Sequence, residues 1–321
     1  MAFAAPKVGA TRPRRPPLHD MPPPTSPSPR SWREPALIAL LCAIWSSTWW
    51  AIRVCLAEQP PCGAAALRFL LAGLTIAAAG PLLRRSDRAT PPPAWLWLAA
   101  GALNFAGSYG ILYVAEQTVP SGIAAVLWAV FPLLMAASGA LWLGERLTRR
   151  QCAGFVVAFA GICTVFAGDF GDAAGHGAPL AAGLLLLGSP LVSAVGTTLI
   201  KRWGHDRSVY ALNRNGMFVG ALLLGAASLL RGESWSSTWS APVVTATIYL
   251  AVCGTAFTFA TYFWLLQRMP ANRLSLISYV TPVLAVLLAA VVGDGALTAA
   301  VAVGTALVVA GIALVVRKAA P

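Results

Sequence analysis

Long apolar runs constrain the fold of this chain more than any other feature. Runs of about 17–25 residues alternate with short polar links. A helix needs about 20 residues to cross the hydrocarbon core of a bilayer, and an open sheet edge cannot face lipid. The pattern predicts an all-α multi-pass membrane protein with ten transmembrane helices. The predicted spans are 36–56, 62–82, 95–115, 121–142, 151–168, 178–199, 209–230, 242–265, 271–292 and 297–316.

Composition excludes a water-soluble globule. Apolar residues make up 58% of the 321 residues and charged residues only 11%. Soluble domains carry about 25% charged residues, so this chain lacks the polar surface that a globule in water needs. The net charge of +12 comes from basic residues at the ends of the apolar runs. Lipid headgroups account for that placement, so no nucleic acid is expected. The expected partners are the lipid bilayer and a small-molecule substrate, and a homodimer remains open.

The second half of the chain repeats the first. Residues 113–145 return as 263–295 at a constant shift of 150 without a gap. A self-match over half the chain indicates a duplicated helical unit rather than a solenoid. It divides the chain into a first repeat at 36–168 and a second at 178–316. Matched pairs include Gln117 and Gln267, Pro120 and Pro270, Pro132 and Pro282, and Gly154 and Gly304.

The repeat and the charge pattern together predict topology. A unit of five helices that is duplicated enters the membrane upside down the second time, so a pseudo-two-fold axis lies in the membrane plane. With the N-terminus in the cytoplasm, every cytoplasmic link holds two or three Lys or Arg, whereas the opposite links hold only Arg231. The positive-inside rule therefore places both termini in the cytoplasm. Residues 1–35 are basic and Pro-rich, which predicts a disordered cytoplasmic tail, unless translation starts at Met21.

Two arginines inside apolar runs are candidate functional residues. Arg68 lies about 9 Å below the outer end of the second predicted helix, at a rise of 1.5 Å per residue. Arg214 lies near the cytoplasmic start of the seventh and corresponds to Arg68 at a shift of 146. Charges inside a membrane are costly, so they are functional by default. The alternative is a structural role, in which each extends to the interface on its long stem or ties a helix to a carbonyl, and this alternative suits Arg214 better.

Polar and aromatic residues on the first and third helices predict a cavity face. Ser46 follows Trp45 in the first helix, and Arg53 closes the same helix at its outer end. Asn104 and Tyr109 are compatible with one face of the third helix. A substrate could stack on such rings and bind such polar groups. The alternative is that the small hydroxyl residues only permit close helix packing.

Two mid-helix prolines predict breaks at matched positions. Pro132 lacks the N–H that would bind the carbonyl of Trp128, and Pro282 does the same to Ser278. Two helix breaks facing the midplane are therefore expected, unless the prolines only improve packing. The candidates of the second half are Tyr262, Ser278, Tyr279 and Pro282.

No Asp or Glu lies in the middle of a predicted span. Glu116 falls in the link after the third helix and is predicted to be a solvated turn residue, with a peripheral proton site as the alternative. The three histidines lie in tails or links, so no metal site is expected. No Walker A, HExxH or GxSxG motif is present. The sequence predicts neither an enzyme nor a cofactor.

The motifs, taken as a set, resemble the EamA family of the drug/metabolite transporter superfamily. The matching stretches are IWSSTWWAIRV, LRFLLAG, YVAEQTVPSGIAAVLWAVFPLL followed by LGERLT, SAVGTTLIKR and YVTPVLAVLL, within 36–316. The resemblance implies two inverted five-helix repeats in a prokaryotic inner membrane and efflux of small metabolites or drugs through a central cavity. The last repeat departs from the family pattern, because Gly293-Asp294 replaces the usual Gly-Glu and is displaced by one residue.

The sequence thus predicts a secondary transporter, with export as the expected direction, that moves small amphipathic metabolites or drugs by alternating access. A lipid flippase and a non-transporting membrane receptor or scaffold remain as alternatives. A flippase would need a lateral opening between helices. A receptor would need an extramembrane surface, which the short links hardly offer.

Overall fold

The computed structural model describes residues 33–83, 89–142, 147–169, 177–204, 206–235, 238–266 and 276–316. The predicted tail up to residue 32 and the predicted link Gln267–Pro270 lie outside these ranges, as do several of the basic residues on which the predicted orientation rests. All the regular secondary structure described is helical. The longer helical segments are, in chain order, α1 (Arg33–Leu56), α2 (Pro61–Ala78), α3 (Ala94–Ala115), α4 (Ser121–Trp142), α5 (Arg149–Asp169), α6 (Gly177–Trp203), α7 (Val209–Leu230), α8 (241–266), α9 (Leu276–Val292) and α10 (Ala299–Val316). A four-residue helix, Gly80–Leu83, follows α2.

These boundaries follow the predicted spans to within a few residues. Helices α1 to α4, α6 and α8 contain the six segments that are both long and apolar enough to cross a membrane. Shorter apolar stretches cover Val280–Val292 and Ala299–Leu314. Helix formation follows from the apolar length of each run, because helices satisfy every backbone group within one segment.

Helices α5 and α10 show how the two repeats are related. A Cβ atom added to Gly161 would lie 2.7 Å from the carbonyl oxygen of Gly304, and one added to Gly311 would lie 2.6 Å from that of Gly154. The shift of 150 maps Gly154 onto Gly304 and Gly161 onto Gly311. Each close contact is therefore the image of the other, and the two helices run antiparallel. Glycines permit this approach because they leave no side chain between the backbones.

The remaining helices pair in the same reciprocal way. Helix α1 packs on α9, and its repeat equivalent α6 packs on α4. Helix α2 packs on α7 and also on α8, whereas α7 packs on α3. The largest apolar core lies where the two halves meet, and side chains such as Phe69, Leu127 and Leu250 are fully or almost fully buried there.

Two helices contain a π-helical segment at matched positions. The segment in α3 covers Gly101–Gly107 and that in α8 covers Val252–Phe257. The shift of 150 maps residues 101–107 onto 251–257. A π-helical turn disturbs the regular backbone hydrogen bonds, and such turns are frequent at functional sites. Nothing in the apolar pattern indicated them.

The two matched prolines behave differently. Helix α4 is interrupted between Trp128 and Phe131, which confirms the break predicted at Pro132. Helix α9 continues through Pro282, so the second predicted break was wrong. A proline is tolerated inside a helix when neighbouring helices bind the disturbed backbone groups. The Ser46 hydroxyl on α1 lies 3.2 Å from the carbonyl of Thr281, next to Pro282, so α1 packs closely against this part of α9.

Candidate functional site

Arg68 lies at the centre of the interface between the two halves. Its side chain is 2% exposed. Its Nε donates to the Thr255 hydroxyl over 2.8 Å, Nη1 to the Tyr113 hydroxyl over 3.4 Å and Nη2 to the carbonyl of Gly254 over 3.4 Å. Thr255 and Gly254 belong to the π segment of α8, which exposes these groups to another helix. The alternative in which Arg68 extends to the interface is therefore wrong, whereas its bond to the Gly254 carbonyl agrees with the alternative of a tie between helices.

The positive charge of Arg68 has neutral neighbours. No carboxylate of the described residues lies within ion-pair distance of it. Its guanidinium carbon lies 4.9 Å from the centre of the Tyr109 ring, in cation–π geometry. A buried cation without a counter-ion creates a positive potential around it. This part of the interface is thus suited to an anionic group, although Arg68 itself is covered.

A chain of aromatic rings joins Arg68 to the candidates on α1 and α8. Tyr109 packs edge-on against Phe69 at 4.8 Å between ring centres, and Phe69 is followed by Phe105 and Phe259. Phe259 contacts Trp45 at 6.2 Å, and Trp45 lies 5.5 Å from Tyr262. Three of the predicted residues, Trp45, Tyr109 and Tyr262, are thus parts of one aromatic surface.

Polar side chains tie α3 and α4 to α6. The Asn104 amide donates to the Thr197 hydroxyl over 2.8 Å and to the carbonyl of Ser193 over 3.1 Å. The Trp128 indole donates to the Ser189 hydroxyl over 3.1 Å, and Ser189 lies 3.0 Å from Ser108. The Asn104 side-chain oxygen is buried without a hydrogen-bond partner among the described residues. A Cβ atom added at Gly196 would overlap with it, so this oxygen packs against α6.

The remaining predicted residues of the central region are placed less completely. Ser46 is buried and also donates to the carbonyl of Cys42 over 2.5 Å. Ser278 and Tyr279 lie on α9, but their side chains are outside the described part of the chain. Sequence reasoning missed the pair of Ser47 and Tyr249, whose hydroxyl oxygens are 2.6 Å apart. Ser47 is in the same polar strip as Ser46, which was the available signal.

Arg214 lies apart from this cluster. It is half-buried, and both groups that it binds belong to its own helix: the Asn215 side-chain oxygen at 2.9 Å and the Tyr210 hydroxyl at 3.4 Å. Its guanidinium carbon is 5.2 Å from the centre of the Tyr210 ring. The guanidinium therefore retains donors that a ligand could use.

Arg53 joins three elements at one end of the bundle, hereafter the Arg53 end. Its Nε lies 3.1 Å from the Asp294 carboxylate, and its Nη1 donates to the backbone carbonyl of Glu116. Asp294 also accepts a hydrogen bond from the backbone N–H of Ser121, over 3.0 Å, and so caps α4. Arg53 is thus part of a polar closure and not of the central cluster. Gly293, which precedes Asp294 in the pair that departs from the family pattern, has a positive φ of +75°. Glycine adopts this conformation without strain, so it allows the chain to turn here.

Two further acids at the Arg53 end cap helices of the opposite repeat. Glu58 accepts from the backbone N–H of Ser240 over 2.9 Å, and hydrogen bonds from the Ser240 side chain and from this N–H lower the pKa of the Glu58 carboxyl. Glu233 accepts from the backbone N–H groups of Cys62 and Gly63, over 3.2 and 3.0 Å. Negative charge at a helix N-terminus is stabilising. Glu58 and Glu233 therefore form hydrogen bonds between the two halves.

Glu116 is the exception among these acids. It is 0% exposed, and neither carboxylate oxygen has a hydrogen-bond partner. The prediction of a solvated turn residue was wrong, because Arg53 and Asp294 cover the link from the side of α1 and α9. Burial raises the pKa of the Glu116 carboxyl well above its ordinary value; Arg53 opposes this shift, Asp294 adds to it and Arg68 opposes it.

The structure thus brings most of the predicted residues into one region but leaves two arginines at its ends. Tyr113 and Thr255, which hold Arg68, were not predicted. Tyr113 lies four residues after Tyr109 and so on the same helix face, which could have indicated it. Thr255 carried no signal, because its position depends on the π segment. Among the residues described, no group of three His, Cys, Asp or Glu could hold a metal ion.

The apolar helices define the class: an all-helical multi-pass membrane protein. The chain belongs to the EamA-like transporter family, whose model matches residues 33–167 and 180–317.

Named relatives cover most of the chain. It is 34% identical to the uncharacterized inner membrane transporter YedA of Escherichia coli over 82% of this chain and 83% of that protein. It is 28% identical to a probable terminal-alkyne amino-acid exporter of Streptantibioticus cattleyicolor over 88% of this chain and 92% of that protein. A solved crystal structure matches with a TM-score of 0.64 at 23% identity, covering 88% of this chain and 96% of that one. This last likeness shows the fold alone.

Proposed function

We propose that this protein is a ten-helix secondary transporter that exports a small amphipathic metabolite across the inner membrane by alternating access. The reciprocal contacts of matched helices support two inverted five-helix halves, a common construction of secondary transporters. The excess of Lys and Arg in the links opposite the Arg53 end supports a cytoplasmic N-terminus and an Arg53 end that faces outside.

Arg68 and its surroundings carry the proposal. A buried cation without a counter-ion lies beside the ring of Tyr109, and the chain of aromatic rings extends from there to Trp45. Asn104 and Trp128 add polar groups on the neighbouring helices. The lining matches a substrate with a carboxylate and an apolar part, such as an amino acid or its derivative. A relative whose name includes amino-acid export is consistent with this substrate class.

Alternating access gives the two matched arginines complementary states. In the conformation described, Arg68 reaches the π segment of α8, whereas Arg214 remains on its own helix. An inverted repeat can exchange the environments of matched residues when the transporter turns to the other side. In the opposite state Arg214 then reaches the π segment of α3, and Arg68 becomes accessible.

Counterflow in proteoliposomes tests the proposal. Vesicles loaded with unlabelled amino acids or their derivatives take up the labelled compound only if the protein exchanges it. We expect saturable exchange for at least one amphipathic amino acid and its loss in Arg68→Ala. Arg207→Ala is the control, because Arg207 contacts only surface groups of the link near Thr90 and Pro91. Scrambling of fluorescent lipids without exchange of any metabolite would instead support the flippase.

A further inference from the structure

We propose that Glu116 is a proton-binding site that controls the opening of the Arg53 end. The role of this site in opening rests on the proposed transport function, whereas proton binding at Glu116 depends only on the folded structure. Glu116 holds its proton while this end is closed and releases it to the same side when the end opens. The pH of that side then sets how often the transporter opens there.

The geometry of the Glu116 carboxyl makes the neutral acid the favoured form in the closed state. Its side chain is 0% exposed, and both oxygens lack hydrogen-bond partners. A buried carboxylate without donors is strongly disfavoured relative to the neutral acid. The other three acids discussed at this end, Glu58, Glu233 and Asp294, all accept backbone N–H groups of helix starts. Glu116 is set apart by having no such partner.

The charged and titratable groups that face Glu116 come from several elements. Arg53 on α1, Arg68 on α2, Asp294 after α9 and Tyr113 on α3 act electrostatically on Glu116 without a hydrogen bond to its carboxyl oxygens. Arg53 neutralises part of the cluster, but its Nε is paired with Asp294 and its Nη1 binds the Glu116 backbone carbonyl. Arg68 is held by Thr255, Tyr113 and Gly254. No cation is thus left in contact with the carboxylate.

The closure over Glu116 consists of contacts that must break when the Arg53 end opens. The Arg53–Asp294 pair joins α1 to the link after α9, and Asp294 also holds the start of α4. Separation of this pair admits water to Glu116, which returns its carboxyl toward ordinary acidity. The closed state binds one more proton than the open state, so raising the pH favours opening.

The repeat shows that the fold itself does not require an acid at this position. The shift of 150 maps Glu116 onto Leu266. The matched position of the second half is therefore apolar in sequence. A buried acid in place of a leucine points to a role other than packing.

Stability measurements test the proton site without reference to transport. Burial raises the folded-state pKa of Glu116, so its contribution to stability is present below the unfolded pKa and is lost as the pH rises through the folded pKa. The midpoint of thermal unfolding of wild type in detergent should therefore fall from about pH 5 to about pH 8. Glu116→Gln, which cannot ionise, should show a flatter curve. Glu58→Gln is the matched control and should keep the wild-type slope. Equal slopes in wild type and Glu116→Gln would refute the proton site.

Labelling measures the opening itself. Ser121 is 1% exposed and lies beside Asp294. In a background without the six native cysteines, Ser121→Cys should react with a membrane-impermeant maleimide only when the Arg53 end opens. The labelling rate, normalised to that of a free thiol to remove the pH dependence of the reagent, should rise with pH by up to about tenfold per unit, the limit for release of one proton. Combination with Glu116→Gln should abolish this dependence. Persistence of the dependence in that variant would refute the control of opening by Glu116.

Absence of counterflow for every compound would overturn the transport function and leave both of these results standing.

Discussion

Arg68 and Arg214 occupy matched positions in the two repeats but very different surroundings. Arg68 is enclosed and binds groups on two other helices, including the π segment of α8. Arg214 is half-buried and binds only Asn215 and Tyr210 on its own helix. The matched π segment of α3 does not contact Arg214 in this way; its Asn104 side chain binds Ser193 and Thr197 on α6. The two repeats therefore place matched arginines in different surroundings, with Arg68 covered and Arg214 half-exposed in this conformation.

Where the two halves are alike, matched substitutions should have equal effects, and these are the largest expected. Gly161→Val places a side chain against the backbone of α10, and Gly311→Val places one against the backbone of α5. Each should destabilise the protein by more than about 3 kcal/mol, because backbones cannot move aside as side chains do. Thermal unfolding in detergent measures the loss.

Gly225 provides the control for this prediction, since nothing lies within 4 Å of a Cβ added there. Gly225→Val should leave the unfolding midpoint nearly unchanged. A large difference between Gly161→Val and Gly311→Val would break the symmetry on which the comparison of the two halves depends.

Where the halves differ, truncation of Arg68 and of Arg214 should reduce the free energy of unfolding by different amounts. Arg68→Ala removes a buried side chain and its hydrogen bonds to three groups, which should cost about 2–3 kcal/mol of unfolding free energy. Arg214→Ala should cost less than about 1 kcal/mol, because it is half-exposed and its bonds are local. Parallel unfolding of both variants decides this. Equal losses would mean that Arg214 is held as firmly as Arg68.

Substrate affinity should depend on Arg214 in this conformation. Arg214 keeps donors available in this conformation, so Arg214→Gln should raise the KM for an anionic substrate added at that end by about tenfold. One charge-assisted hydrogen bond of about 1.5 kcal/mol corresponds to that factor. A neutral analogue of the same shape should show no change. An unchanged KM for the anionic compound would remove Arg214 from the site.

The smallest expected effect concerns the hydroxyl groups beside the two arginines. Tyr113→Phe removes an acceptor of Arg68 from a fully buried place and should cost about 1 kcal/mol. Tyr210→Phe removes the corresponding acceptor of Arg214 in a half-exposed place and should cost less than half of that. Chemical or thermal unfolding at one fixed pH compares them. The reverse order would show that Arg214 depends on Tyr210 more than the geometry indicates.

Local sequence patterns predicted the helices, the duplication and the break at Pro132. These properties depend on the length of apolar runs, on a fixed shift and on one missing N–H, all of which are readable within a single segment. The partners of Arg68 were not readable in this way. Thr255 is 187 residues away along the chain and reaches Arg68 only because α8 contains a π segment.

The burial of Glu116 was likewise not predictable from the local sequence. Its place in a link between two apolar runs predicted exposure to water. The actual burial depends on Arg53 and Asp294, which come from other segments and close over it. A one-dimensional pattern indicates where a helix ends but not what covers that end.

Reversible locking of the Arg53 end tests alternating access most directly. Arg53→Cys and Asp294→Cys, combined in a background without native cysteines, place two thiols on elements that are joined in this conformation. A short cleavable crosslinker should stop substrate exchange in proteoliposomes, and cleavage of the crosslink should restore it to the rate of the untreated double variant. Exchange that continues at the full rate in the crosslinked protein would contradict the account, because transport would then proceed without opening of this end.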